Sequence, residues 1–315
     1  MIGKNSLFGP VDPAAETGYK DHPPRKGFFT DTSICIGCKA CEVACKEWNE
    51  VPDDGFNMLG MSYDNTGSLN ANTWRHVAFI EQPKQLGDQE PRLRETVDLG
   101  MPEIPSEGAQ VGQAGGSDGK PDFRWLMSSD VCKHCTHAAC LDVCPTGSLF
   151  RTEFGTVVVQ DDICNGCGYC VPACPYGVIE RRSAPDGAKN VGIAQKCTLC
   201  YDRLKVGEKP ACAKACPTES IQFGDVEELR ERANKRVEHL HEAGIMDARL
   251  YGNDPDDGVG GTGAFFLLLD EPEVYGFPPD PVVTTRDLPH MFNRATTAAL
   301  ALFAGAVISF FGRRP

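Results

Sequence analysis

The order of apolar and polar positions along the chain predicts short strands, one amphipathic helix and one helix that is apolar all round. Thr156-Val157-Val158-Val159 and Ser220-Ile221-Gln222-Phe223 each read as a single strand, and Phe265 to Leu269 as a buried one. After Phe223, Asp225 with Glu228 has the form of a capping box. Val226, Leu229, Ala233, Val237 and Leu240 then recur every three or four residues until Gly244, which predicts a helix packed along one face and charged on the other. His239 and His241 on it read as solvated or packing residues, not ligands.

Ala295 to Phe311 is a 17-residue stretch without a charge, polar only at Thr296, Thr297 and Ser309. Such a helix belongs in a core or in a membrane. It covers roughly 25 Å, and extension over His290 to Gly312 gives about 34 Å, enough for a bilayer core. With few apolar partners left to bury it, a single membrane anchor over 290–312 is expected. Arg286 and Arg294 before it balance Arg313 and Arg314 after it, so the basic residues set no orientation.

The remaining segments are punctuated by glycine and proline. Residues 1–27 carry four prolines and no apolar h-region, so no signal peptide is expected, and the segment reads as an arm over a neighbouring surface or as plain disorder. Glu81–Asp122 has 7 glycines and 5 prolines in 42 residues and reads as a loop insertion without a core of its own. Asn253 to Gly263 is glycine- and aspartate-rich, but has neither the lysine nor the following helix of a phosphate-binding loop, so it reads as a turn.

Composition changes this picture in two ways. Among 315 residues, 31 basic against 44 acidic side chains leave a charge of −13, which argues against a nucleic-acid binder. The 16 cysteines fall into four groups of four. Cys35, Cys38, Cys41, Cys45 and Cys164, Cys167, Cys170, Cys174 leave gaps of two, two and three residues. Cys132, Cys135, Cys140, Cys144 run two, four, three, and Cys197, Cys200, Cys212, Cys216 run two, eleven, three. Proline follows the last cysteine of every group except the first, where Lys46 stands.

Disulfides could use an even count, but serial two-residue gaps suit a shared metal centre better, and a chain this long needs no stapling. The fourth group alone could pass as a four-thiolate zinc site. A run of four cysteines within eleven residues, ending in Cys174-Pro175, is the bacterial ferredoxin pattern instead. In that pattern three cysteines serve one cluster and the fourth serves the other. The second and third groups are 19 residues apart, enough for a hairpin and a short helix, and are expected to share one unit. Cys132, Cys135, Cys140 and Cys174 then hold one cluster, and Cys164, Cys167, Cys170 and Cys144 another. By elimination Cys35, Cys38, Cys41 and Cys216 hold a third, and Cys197, Cys200, Cys212 and Cys45 a fourth. The cofactors expected are four 4Fe-4S clusters.

Fully ligated clusters leave no open iron, and the chain shows no cofactor fingerprint or nucleophile–base pair, so one-electron transfer is the chemistry left. Each oxidised cubane with its thiolates adds roughly −2, and basic residues beside the ligands are expected to offset it. Lys39, Lys46, Lys133, Lys196 and Lys214 stand near ligand cysteines, and Lys196, directly before Cys197, is the chosen cofactor-tuning residue. No catalytic residue is assigned.

Cys164-Asn165-Gly166-Cys167-Gly168-Tyr169-Cys170 and Lys196-Cys197-Thr198-Leu199-Cys200 resemble the four-cluster iron–sulfur subunits that partner molybdopterin oxidoreductases. Cys35-Ile36-Gly37-Cys38-Lys39-Ala40-Cys41, Cys132-Lys133-His134-Cys135, Gly258-Val259-Gly260-Gly261-Thr262, Pro272-Glu273-Val274-Tyr275 and the terminal helix resemble the beta subunit of membrane-bound formate dehydrogenases. The resemblance spans residues 28–312, lapsing over Glu81–Asp122 and the N-terminal arm. It implies an electron relay from a molybdenum or tungsten formate dehydrogenase catalytic subunit to a cytochrome b-type membrane subunit and quinone, with the cluster domain on the extracytoplasmic face. All sixteen positions are cysteine, unlike the nitrate reductase relatives, where one is tryptophan. The expected fold is α+β: two ferredoxin-like double-cluster units in 28–224, a C-terminal extension over 225–289, and the transmembrane helix. The iron–sulfur subunit of a dimethyl sulfoxide or sulfur-compound reductase and a zinc-stabilised interaction scaffold are the competing readings.

Overall fold

The computed structural model describes residues 5–7, 11–55, 63–64, 66–82, 124–183 and 189–312. β1 (Lys26–Asp31) leads into the first cysteine group, whose last two members lie on α1 (Ala40–Trp48). β2 (Arg75–Gln82) and β3 (Arg124–Val131) pair antiparallel and deliver the second group, which carries α2 (Ala139–Asp142). The hairpin of β4 (Leu149–Arg151) and β5 (Val157–Val159) separates it from the third group and α3 (Cys170–Ala173). β6 (Glu180–Arg181) and β7 (Ala194–Gln195) pair ahead of the fourth group, with α4 (Tyr201–Lys205) and α5 (Ala211–Ala215). β8 (Ile221–Asp225), α6 (Val226–Glu242), β9 (Arg249–Tyr251), β10 (Ala264–Leu268) and α7 (Leu288–Phe311) follow.

Two apolar runs far apart in sequence, Phe28-Phe29 and Ala264–Leu268, meet as parallel neighbours at the centre of a four-stranded sheet of order β8-β1-β10-β9. All five residues of β10 are buried, as expected of a central strand covered on both faces. α6 covers one face, setting Val226, Leu229, Ala233 and Leu240 against Phe29, Phe265 and Leu267. The segment after residue 225 therefore completes the sheet begun by β1.

The expected strands and amphipathic helix are present, with local differences. Asp225 is the N-cap of α6, but its carboxylate takes an ion pair from Lys26 and not a helix amide, so no capping box closes. Between the second and third groups there is a hairpin and no helix. His241 Nε2–H donates a 2.8 Å hydrogen bond to the Ala248 carbonyl, a packing role. Of the arm, Ala14 is buried and lies with Pro13 against Gly155 in the β4–β5 turn. The expected insertion falls, beyond Gln82, outside the described residues. α7 is 24 residues long with none buried, and its roughly 36 Å exceeds a bilayer core.

Leu229 is almost fully enclosed under the sheet. Leu229→Ala is expected to lower stability by about 2–5 kcal/mol, read as a lower urea midpoint of the full chain. An unchanged midpoint contradicts the packing described.

Candidate metal centres

Each cysteine group opens with a loop in which the residue before the second cysteine turns left-handed. These residues are Gly37 (φ 64°), His134 (φ 45°), Gly166 (φ 70°) and Leu199 (φ 58°). Glycine is needed at two of them: a Cβ on Gly37 would stand 2.6 Å from the Phe79 ring, and one on Gly166 2.5 Å from the Gly192 carbonyl oxygen. His134 and Leu199 tolerate a conformation costing roughly 1–2 kcal/mol because burial fixes them. The loop turns backbone donors inward, and the Leu199 amide donates to Cys197 Sγ at 3.3 Å.

The third and fourth cysteines of every group are four residues apart, around one turn of α1, α2, α3 or α5. That offset separates two sulfurs by about 6 Å along the helix axis, so the last thiol faces a different centre from the first three. α1 packs on α5 and α2 on α3. Strand register completes the arrangement. Thr30 pairs with Ile221, which places Cys35, five residues on, near Cys216, five residues back. Leu149 pairs with Val159, which brings Cys144 to Cys164 by the same offsets.

Four thiol gatherings result. Cys35, Cys38, Cys41 and Cys216 line one small cavity. Cys132, Cys135, Cys140 and Cys174 line another with Lys133, His134 and Lys196. Burial, reinforced by Cys197, Cys212 and Cys200, drives the Cys45 thiol well above its ordinary pKa. Burial, with Cys164, Cys167 and Cys144 adding to it, pushes Cys170 up to about 11. Each gathering takes three thiols from one group and one from another. Cys41 also feels Cys212, Cys197 feels Cys132, and Cys140 feels Cys170, so the gatherings form a row. The two exposed cysteines, Cys38 and Cys167, stand at its opposite ends.

All sixteen thiols are free. Among the described residues no three His, Cys, Asp or Glu converge as a single ion requires, whereas four thiols round a larger group stand farther apart. A buried donor without an acceptor lines the Cys132 cavity. His134 Nδ1 accepts from the Val157 amide at 3.2 Å, leaving the proton on Nε2, which has no partner among the described residues. Burial holds this imidazole neutral, with Lys196, Arg25 and Arg151 lowering its pKa further. Arg75 Nε and Nη2 are likewise without acceptors. Orphaned donors and clustered thiols both fit an anionic sulfide-bearing group. Lys133 and Lys196 are buried at the Cys132 cavity: Lys133 pairs with Asp130, and Lys196 donates to the Val157 and Cys197 carbonyls. Lys39 and Lys46 are paired with Glu42 and Asp54.

Residues 34–148 and 123–226 each match the 4Fe-4S dicluster domain family. The nitrate-inducible formate dehydrogenase iron-sulfur subunit of Escherichia coli K12 is 34% identical over 321 residues, 100% of this chain and 93% of the relative. The chain belongs to the formate dehydrogenase iron–sulfur subunit family. The Haemophilus influenzae formate dehydrogenase iron-sulfur subunit is 37% identical over 89% of this chain and 76% of its own length. A subunit of the anaerobic dimethyl sulfoxide reductase of Escherichia coli K12 is 33% identical over 65% of this chain and 76% of its own length. The thiol gatherings pair the cysteine groups in a nested way, first with fourth and second with third, whereas the matched domains overlap over 123–148 and share the second group.

Sequence reasoning missed Arg75, His134 and Ser129. His134 lies inside a cysteine motif and spacing could have flagged it. Arg75 and Ser129 lie on strands outside the motifs, where no local signal marks them.

Burial pushes Cys140 up to about 12, Lys196 opposing, and Cys41 up to about 12, Arg75 opposing. A thiol with a raised pKa is protonated at neutral pH unless a metal takes its place, so lower pH favours the protonated, metal-free form. A chelator is expected to strip iron from the loaded chain faster at pH 6 than at pH 8. A pH-independent rate contradicts this.

Proposed function

We propose that this chain is the electron-transfer subunit of a formate dehydrogenase complex, with the four thiol gatherings as the ligand sets of four 4Fe-4S clusters. The observation that carries the reading is the row itself: four three-plus-one thiol sets side by side, exposed only at Cys38 and Cys167. Such clusters supply reversible one-electron transfer when bound. The chain's own residues hold the thiolates, exclude water from the two inner sets and place buried cations beside them. Lys196 is proposed to tune the centre at Cys132, Cys135, Cys140 and Cys174, whose cavity it lines.

In this reading residues 28–224 hold the clusters, 225–289 brace them through the central sheet, and 290–312 anchor the chain in a membrane. The single described helix long and apolar enough to span supports the anchor. The partners proposed are a molybdopterin catalytic subunit, carrying molybdenum or tungsten, and a cytochrome b-type membrane subunit. Placement of the cluster domain on the extracytoplasmic face rests on the family resemblance. The chain itself has no catalytic site in this proposal.

Formate added to the purified complex is expected to bleach the iron–sulfur absorption of this subunit, with iron and labile sulfide near sixteen each per chain. Zinc without labile sulfide overturns the cluster reading, and full iron loading with no response to formate overturns the substrate.

A further inference from the structure

Arg75 is the largest fully buried side chain of the described residues, at 1% exposure. It lies on β2, away from every cysteine motif. Its Nη1 donates to Ser129 Oγ at 3.0 Å and to the Ser129 carbonyl at 3.2 Å, and its guanidinium stacks on Phe28 at 4.9 Å. No carboxylate lies within ion-pair distance of it among the described residues; Glu42, on the facing α1, is taken up by Lys39 and the Val77 amide. Ser129 Oγ in turn stands 3.2 Å from Cys41 Sγ.

A buried guanidinium cannot shed its proton, and leaving it without a counter-charge is costly. The compensation comes from sulfur. Phe28, over whose ring the guanidinium lies, packs in one buried cluster with Cys41, Cys45, Cys197 and Cys212. Of these, Cys41 belongs to the gathering with Cys35, and the other three form the adjacent one with Cys200. Arg75 therefore sits at the junction of two thiol sets, with Nε and Nη2 open as donors among the described residues.

We propose that Arg75 is a shared counter-ion of the two adjacent clusters held by Cys35/Cys38/Cys41/Cys216 and Cys45/Cys197/Cys200/Cys212, raising the reduction potential of both while leaving the other two unaffected. This rests on the four-cluster reading. The reduced form of each centre is the more anionic, so a fixed cation between them stabilises the reduced state of either. Arginine suits the place because its charge is permanent and its fork can donate in two directions.

The test is a redox titration of Arg75→Gln and Arg75→Lys in the assembled complex, followed by electron paramagnetic resonance, after iron and sulfide content has been measured. Arg75→Gln is expected to shift the reduction equilibrium of two of the four clusters at least tenfold toward the oxidised form, which is about 59 mV for one electron. Arg75→Lys is expected to shift the same two by less. Unchanged potentials, or an equal shift in all four, overturn the proposal. If the glutamine variant loses iron, the lysine variant decides: a downward shift confined to two clusters supports the proposal, and four wild-type potentials overturn it. Absence of iron–sulfur clusters from the wild-type complex is separately visible in the metal content and overturns the underlying reading.

Discussion

The structure depends on one geometric constraint: three thiols of a loop can reach one centre, and the fourth, one helical turn further, cannot. Each centre must therefore complete its set from a distant part of the chain. The β1–β8 pairing meets this for Cys35 and Cys216, which are separated by most of the cysteine-bearing chain, and the β4–β5 hairpin meets it locally for Cys144 and Cys164. α1 against α5 and α2 against α3 then hold neighbouring centres one turn apart. The central sheet is the brace that fixes the long-range pair, which is why β10, from far down the chain, lies beside β1.

Charge is the second consequence. In the proposed reading, a chain of formal charge −13 takes on four anionic centres and concentrates negative charge where water is least able to screen it. Its response is local. Arg75, Lys133 and Lys196 are almost fully buried beside the thiols, and Lys133 also lies over the rings of Tyr176, Phe266 and Phe277. Cations exposed on the surface would be screened; these three are not.

Much of the site was legible in the cysteine spacing, because ligand geometry constrains local sequence directly. The i to i+4 offset and the proline after three of the four groups are the trace of helices too short to show periodicity. The amphipathic helix and the all-apolar terminal helix were legible for the opposite reason: each repeats one pattern long enough to exceed chance. Asp225 misled as a capping residue because Lys26, remote in sequence, competes for its carboxylate. β2 and β3 escaped because their partners are each other across residues 83–123, and Arg75 escaped with them. Lys196 was visible by adjacency to Cys197, but the cavity it lines belongs to Cys132 and its companions, a relation only the fold supplies.

Anomalous scattering at the iron edge from crystals of the intact complex tests the central claim most directly. The account predicts four separate iron centres of this subunit in a row, in the order Cys38, Cys45, Cys135, Cys167, each bound by three thiols of one group and one of another. Four centres each ligated by the four cysteines of a single group contradict it.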